Sequence, residues 1–355
     1  MLQLVKIVKA SAGYQMFTKI LKYTALIIAT YLWLQSYSPI VYQSSKLFPD
    51  DYRNGDLYHL SYLPQFKEKL QPCVPLKSTT TLPNVNLYMI GDSFTEEQRV
   101  GKNDIIAANY TNVHWSKQAD IQLDTTKKNI LVLETVERTF REHFSQEVNQ
   151  FNLVTINEDN TAEKPWKQSL KDKIDAIISF IFPKSESIEQ RFEASLFSYD
   201  FFLRFRELKA QLNDVFFGRV EKKVVLSKNK NSIFFSEESS PSDPHSAFYP
   251  FDDEEKTFLV NQVNLTREKY QKAGFDEVYL SIIPNKVSVI SPDLGTYNHL
   301  IERIQEDSTL KMPIIDTYAD FRKNPTKYYL KSDSHWTCEG RNIWLDKINK
   351  MLLNP

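Results

Sequence analysis

Ser93 stands in the stretch Gly91-Asp92-Ser93-Phe94-Thr95, and Asp333 and His335 stand near the other end in Ser332-Asp333-Ser334-His335-Trp336. These residue types suit nucleophilic catalysis. A serine hydroxyl is a weak nucleophile until a base takes its proton, and imidazole is the side chain that titrates near neutrality. A carboxylate two residues away, on an extended or turn segment, can hold the imidazole in one tautomer and stabilise its charged form. The chemistry of such a set is acyl transfer through an acyl-serine. A Gly-Asp-Ser tripeptide alone reads first as a capped turn. The Asp-x-His pair changes that weighing.

The surrounding elements must bring the three together. Residues 85–90 form a short apolar run of strand character. Gly91 interrupts it. Thr95-Glu96-Glu97-Gln98 reads as the first turn of a helix, with acidic residues at the positive end of its dipole. A strand-to-helix turn points a serine hydroxyl out of the sheet and offers backbone N–H groups to an oxyanion. Asp92 reads as structural. Residues 104–110 read as the rest of that helix.

Residues 129–134 are the clearest buried strand and lead into Glu137-Arg138. Open α/β sheets build their sites where strands end beside one another, so Arg138 is a site candidate. An ion pair on a solvated helix start is the plainer reading of it. Residues 278–283 are a further buried strand, ending in Pro284-Asn285-Lys286, and residues 313–316 are a short one. Residues 252–272 read as an amphipathic helix stopped by Gly274. Residues 297–305 and 341–353 read as helices, and residues 224–235 as a hairpin turning at 228–231. Strands alternating with helices imply an α/β fold with a mostly parallel sheet.

Residues 186–212 form a long helix candidate. Phe192, Leu196, Tyr199 and Leu203 share one face; Phe197, Phe201, Phe205 and Leu208 share the adjacent one. That wide stripe is expected to be core or a helical cap on the sheet, with a partner or membrane surface as the sharper alternative. Residues 151–185 show no clear pattern. Within them 174–182 is very apolar, fitting a strand, a buried helix or an exposed contact.

The chain has 355 residues, enough for one large α/β domain or two smaller ones. Aromatic residues make up 13%, which allows a substantial core. Glycines number only 8, and neither a P-loop nor a dinucleotide fingerprint occurs, so no nucleotide cofactor is expected. Cys73 and Cys338 do not make a zinc site, and no metal is expected. They form one disulfide if the domain is exported; two thiols are the other reading. Beyond residue 42 there are 40 basic and 45 acidic side chains, a balance that offers no field for nucleic acid.

Residues 23–42 carry no formal charge, and Lys6, Lys9, Lys19 and Lys22 lie on their N-terminal side. About twenty helical residues span a bilayer. The expectation is a single transmembrane anchor over 23–42. Residues 1–22 are then cytoplasmic by the positive-inside rule, and the rest lies outside. A cleaved signal peptide competes, but no convincing small-x-small site precedes Gln43. Residues 43–83, with prolines and polar residues, read as a stalk, and 84–355 as the exported domain.

The constellation resembles the SGNH (GDSL-type) hydrolases. It is most similar to the branch that acts in O-acetylation of exported polysaccharides, the AlgX/AlgJ-like and DHHW-type proteins. The matching pieces are Gly91-Asp92-Ser93-Phe94, the strand with Glu137-Arg138, Ile283-Pro284-Asn285-Lys286, and Asp333-Ser334-His335-Trp336-Thr337 with Gly340. The resemblance implies a three-layer domain, with Ser93 as nucleophile, His335 as general base then acid, and Asp333 as the orienting acid. It also implies a polysaccharide acceptor and a multi-pass membrane partner that supplies the acyl group. There are departures. In the alginate proteins the Asp-x-His motif precedes the Gly-Asp-Ser motif, and here it follows. Ordinary GDSL enzymes carry Asp-x-x-His, and a Gly-x-Asn-Asp block whose Asn serves the oxyanion. This chain has Glu134-Thr-Val-Glu137-Arg138 in place of that block. The second oxyanion donor is therefore open, with Arg138 and Asn285 as candidates beside the Ser93 backbone N–H.

Three functions follow as expectations. The first is a membrane-anchored O-acyltransferase, acetyl in the first instance, acting on a cell-surface or extracellular polysaccharide. The second is a carbohydrate acetylesterase using the same triad. The third is a non-catalytic glycan-binding scaffold, which would need none of the three site residues.

Overall fold

In this computed structural model the described residues are 2–45, 52–76, 81–154, 173–175, 177–178, 185–197 and 199–353. In chain order the helices are α1 (Leu2–Tyr37), α2 (Pro39–Ser45), α3 (Asp56–Ser61), α4 (Glu137–Phe144), α5 (Ser185–Phe197), α6 (Asp200–Phe217), α7 (Asp253–Lys272), α8 (Lys286–Ile290), α9 (Leu300–Gln305) and α10 (Cys338–Leu353). Other short helical turns lie between them. The strands are β1 (Leu82–Gly91), β2 (Ala107–His114), β3 (Ala119–Ile121), β4 (Lys128–Val136), β5 (Phe151–Leu153), β6 (Val224–Leu226), β7 (Ile233–Phe235) and β8 (Glu277–Ile283). The chain divides into two compact units, residues 1–53 with 158–209, and residues 54–157 with 210–355.

The second unit holds an α/β sheet in the order β2-β1-β4-β8, parallel throughout. A parallel bridge from Leu280 to Ile314 extends it past β8, where the strand at 313–316 was expected. The apolar runs explain the layout. Leu87, Met89 and Ile90 of β1 and Ile130 to Leu133 of β4 are almost wholly buried, as strands covered on both faces must be. Each such side chain contributes roughly 1.5–3 kcal/mol. The first strand lies inside the sheet with the second on its outer side, so the crossovers diverge between β1 and β4. In open parallel sheets that switch point, at the carboxyl ends of the strands, is where ligands bind. β6 and β7 pair antiparallel, as the hairpin signal implied.

Two local expectations are corrected here. Residues 93–100 form a run of turns rather than a helix start, and 104–110 do not continue a helix. Ala107–His114 is instead the edge strand β2, whose half-exposed Asn109, Tyr110, Thr111 and Asn112 hide the usual apolar signature of a strand. Residues 54–76, expected as part of a stalk, belong to the compact unit of the sheet. A disulfide joins Cys73 to Cys338, with Cα atoms 5.4 Å apart, and Arg341 donates to the Val74 carbonyl.

In the first unit α1 contains one segment, Tyr14–Tyr37, long and apolar enough to cross a membrane. Among the described residues it stands alone in this. It overlaps the span expected at 23–42 over residues 23–37 and begins nearer the N-terminus. Ser38 leaves the helix and Pro39, which has no N–H to donate, starts α2. α5 and the first half of α6 belong to this unit. Phe192, Phe201, Phe205 and Leu208 are exposed on them. Of the apolar run 174–182, residues 174–175 and 177–178 are helical, with Ile174, Ile177 and Ile178 exposed. The rest of that run lies outside the described residues.

Candidate active site

The turn after β1 carries Ser93. Gly91 is required at its start, because a Cβ there would sit 2.0 Å from Thr95 Oγ1 and 2.9 Å from Glu134 Oε2. Glu134, at the end of β4, accepts from the Asp92 backbone N–H at 2.9 Å and from Thr95 Oγ1 at 3.0 Å. Asp92 in turn accepts from the Phe94 and Val136 N–H groups at 2.9 and 3.0 Å. Asp92 thus ties the Ser93 turn to β4. Burial raises the carboxyl of Glu134 well above its ordinary value, and the neighbouring Asp92 adds to this. Among the described residues Glu134 Oε1 has no partner.

The loop before α10 carries the other two members. His335 Nε2 lies 2.9 Å from Ser93 Oγ. His335 Nδ1 lies 2.5 Å from Asp333 Oδ1. The same oxygen accepts the His335 backbone N–H at 3.0 Å, which closes the turn that makes a two-residue spacing sufficient. Burial works to raise the Asp333 carboxyl, but the His335 hydrogen bond and charge outweigh it and hold the group well below the ordinary range. Asp333 therefore stays ionised, as an orienting carboxylate must. Phe94 packs its ring 4.6 Å from the imidazole and 5.1 Å from Trp336. Ser93, His335 and Asp333, chosen from types and spacing 240 residues apart, are brought into one hydrogen-bonded line.

Arg138 and Asn285 are also brought together, at the ends of β4 and β8. Asn285 Oδ1 accepts the Arg138 N–H at 3.1 Å. The guanidinium of Arg138 is committed elsewhere: it pairs with the buried Glu238 at 2.6 Å and lies over the Phe235 ring. Asn285 differs. Its side chain is 1% exposed, and among the described residues Nδ2 has no hydrogen-bond partner. A buried amide left unpaired costs about 1–3 kcal/mol, so a donor kept in that state is the kind a ligand completes. The Asn285 N–H donates to Glu137 Oε2, whose carboxyl burial pushes up to about 7.

Asp56 and Arg99 carried no sequence signal, and Lys286, within the Ile283-Pro284-Asn285-Lys286 stretch, had no role assigned to it. Asp56 opens α3 within the supposed stalk. Its N–H donates to Asp333 Oδ2 at 3.0 Å, and its carboxylate accepts from Ser334 N and Ser334 Oγ at 2.8 and 2.5 Å. Nothing in the spacing from 56 to 333 could announce this. Gly55 has φ +91°, and a Cβ there would meet the Ser332 carbonyl at 2.3 Å, so the glycine allows that close approach. Arg99 donates from Nε to the Ser93 carbonyl at 2.8 Å, with its terminal nitrogen 3.2 Å from His335 Nδ1. Lys286 donates to the Lys331 and Asp333 carbonyls, and burial lowers its ammonium to about 8.

Asp56, Asp333 and His335 offer atoms close enough together to hold a cation. Their oxygens are already taken by N–H and O–H donors, which makes them a relay rather than a ligand set. The arrangement can abstract the Ser93 proton, stabilise the resulting imidazolium and return the proton to a leaving group. Comparison with protein-family models, with curated proteins and with solved structures returns no match.

Proposed function

We propose that the chain is a serine-dependent O-acyltransferase, acetyl in the first instance, that is held by a single transmembrane helix and modifies an exported polysaccharide. The observation that carries the reading is the Ser93–His335–Asp333 line at the carboxyl edge of a parallel sheet. The strand order, with the nucleophile directly after the first strand, suits a three-layer SGNH-like domain. The Cys73–Cys338 disulfide fits an oxidising compartment, and the apolar α1 fits an anchor with the N-terminus in the cytoplasm.

Ser93 Oγ attacks the carbonyl of an acyl donor while His335 Nε2 takes its proton. The tetrahedral oxyanion is received by the Ser93 N–H and by Asn285 Nδ2. Collapse breaks the bond to the donor oxygen, which leaves with the proton from His335. A sugar hydroxyl then attacks the acyl-serine, giving its proton to His335, and Ser93 recovers it as the sugar ester departs. A multi-pass membrane protein supplies the donor. Water in place of the sugar makes the same site an esterase.

The test uses the full chain in detergent with 4-nitrophenyl acetate, with and without an oligosaccharide acceptor, beside Ser93→Ala. Release of 4-nitrophenol lost in the variant, with a 42 Da gain on the sugar (about one acetyl for one hydrogen), supports the transferase. Hydrolysis without the mass gain assigns an esterase. Equal rates with and without Ser93 overturn both.

A further inference from the structure

α6 turns its largest apolar side chains outward. At about 100° per residue, Phe201, Phe205, Leu208, Leu212 and Val215 fall on one stripe. They are 65, 60, 53, 44 and 74% exposed. Leu203, on the opposite side of the helix, is buried at 6%. An ordinary surface helix does the reverse. A stripe this long left in water is an aggregation hazard, so something apolar covers it.

The connections of α6 say what. Arg206 pairs with Glu193 of α5 and stacks over Phe197 at 4.6 Å. α5 is fastened to the end of the apolar helix: Arg191 donates from Nε to the Ser36 carbonyl at 2.7 Å and from Nη2 to that of Tyr37 at 3.2 Å. Those are the last residues of the span. A groove of about 310 Å³ runs between α1 and α5, lined by Ala29, Trp33, Ser36, Ile188, Glu189 and Phe192. Trp33 and Tyr37 stack at 5.3 Å beside it, at the level where aromatic side chains mark the bilayer boundary.

We infer that α5 and α6 lie in the outer boundary of the bilayer, with the Phe201–Phe205–Leu208 stripe buried in lipid and Arg204 and Lys209 reaching to headgroups. The inference rests on the anchor reading of α1. The exposed charges flanking the stripe suit such a helix, since arginine and lysine stems extend along apolar surface to place their charge in the headgroups. Two helices on the surface, added to the span, restrict how far the chain can tilt or lift.

The full chain is placed in nanodiscs of phosphatidylethanolamine and phosphatidylglycerol. Both native cysteines are bonded, so Phe201→Cys, Phe205→Cys and Leu208→Cys can each take one nitroxide label. Lys209→Cys is the polar control and Leu26→Cys reports the anchor. Labels at 201, 205 and 208 are expected to collide with oxygen several-fold more than with a water-soluble nickel complex, and the label at 209 the reverse. Nickel access at all four positions, with Leu26 still in lipid, overturns the inference and leaves the anchor intact. Protection from both reagents also overturns it, because a protein then covers the stripe. Nickel access at Leu26 refutes the anchor itself. On the unsubstituted chain, a diazirine phospholipid in the same nanodiscs is expected to label residues 199–217, and failure to do so overturns the inference independently of any variant.

Discussion

Asp56 and Asp333, 277 residues apart in the chain, share a 3.0 Å hydrogen bond from the Asp56 N–H to Asp333 Oδ2. The same carboxylate that takes its second proton donor from His335 is thereby fixed from behind. Asp56 completes the hold by accepting both Ser334 donors. Burial raises the Asp56 carboxyl, as does the charge of Asp333. Asp56→Ala is expected to keep the fold and lower kcat by about 10²-fold, the scale of an ångström of misplacement in the imidazole. KM for a small ester should move little, because Asp56 touches no substrate. Asp56→Asn should recover part of the rate, since its amide oxygen can still accept from Ser334. Unchanged kcat in Asp56→Ala would remove Asp56 from the site.

The relay itself predicts a hierarchy. Asp333→Asn keeps the size of the side chain but cannot accept the Nδ1 proton with the same charge. It is expected to reduce kcat by about 10⁴-fold, with Ser93→Ala and His335→Ala at least as low. The double variant Ser93→Ala with Asp333→Asn should be no worse than Ser93→Ala alone, because the residues act as one unit. Additive losses in that cycle would mean that Asp333 acts apart from the serine.

Glu137 makes stability depend on pH. Its buried carboxyl titrates near 7 when folded and near 4.5 when unfolded. The folded state therefore binds the proton more tightly. The contribution is full below pH 4.5 and is lost as pH rises through 7, with a total of about 3 kcal/mol. The depressed Asp333 works in the other direction, adding stability above its unfolded value that is lost only in strong acid. The thermal midpoint is expected to fall by several degrees between pH 5 and pH 8, and Glu137→Gln, which keeps an oxygen for Asn285 N and Ser288 Oγ, should flatten that fall. An identical slope in the variant would assign the pH dependence to another group.

Cys338 begins α10 three residues after His335, and its disulfide ties that start to the segment after α3. Removing a disulfide of this kind typically costs about 2–5 kcal/mol. Cys73→Ser with Cys338→Ser is expected to lower the thermal midpoint, and to raise the proteolysis rate around residues 67–76 first. Wild-type resistance in the double variant would show that the buried contacts of α3 and α10 suffice without the bond.

The parts of this molecule legible in sequence are those whose physics is local. β1, β4 and β8 are covered on both faces, so their apolar runs stand out, and Ser93 and the Asp-x-His pair belong to short motifs. β2 was hidden because an edge strand shows polar residues along much of its length. The charge-free window of the sequence runs past Pro39, whereas the apolar helix α1 ends at Tyr37 because Pro39 starts a new one. Asp56 was hidden for a different reason. Its partners lie at the other end of the chain, and no spacing rule connects a helix start to a loop 277 residues later.

Asn285 gives the sharpest test of the oxyanion assignment. Arg138 is the other candidate; its Nη1 pairs with the buried Glu238 at 2.6 Å and its guanidinium lies over the Phe235 ring. Asn285 Nδ2 is buried and without a partner among the described residues, so a ligand there has no existing hydrogen bond to displace. Asn285→Asp preserves the oxygen that accepts the Arg138 N–H and removes the donor. It is expected to lower kcat by about 10²–10³-fold with KM nearly unchanged, since the donor works on charge that exists only in the transition state. Arg138→Lys should instead act mainly on stability. A loss in kcat for Arg138→Lys as large as that for Asn285→Asp, in folded protein, would move the oxyanion role to the arginine.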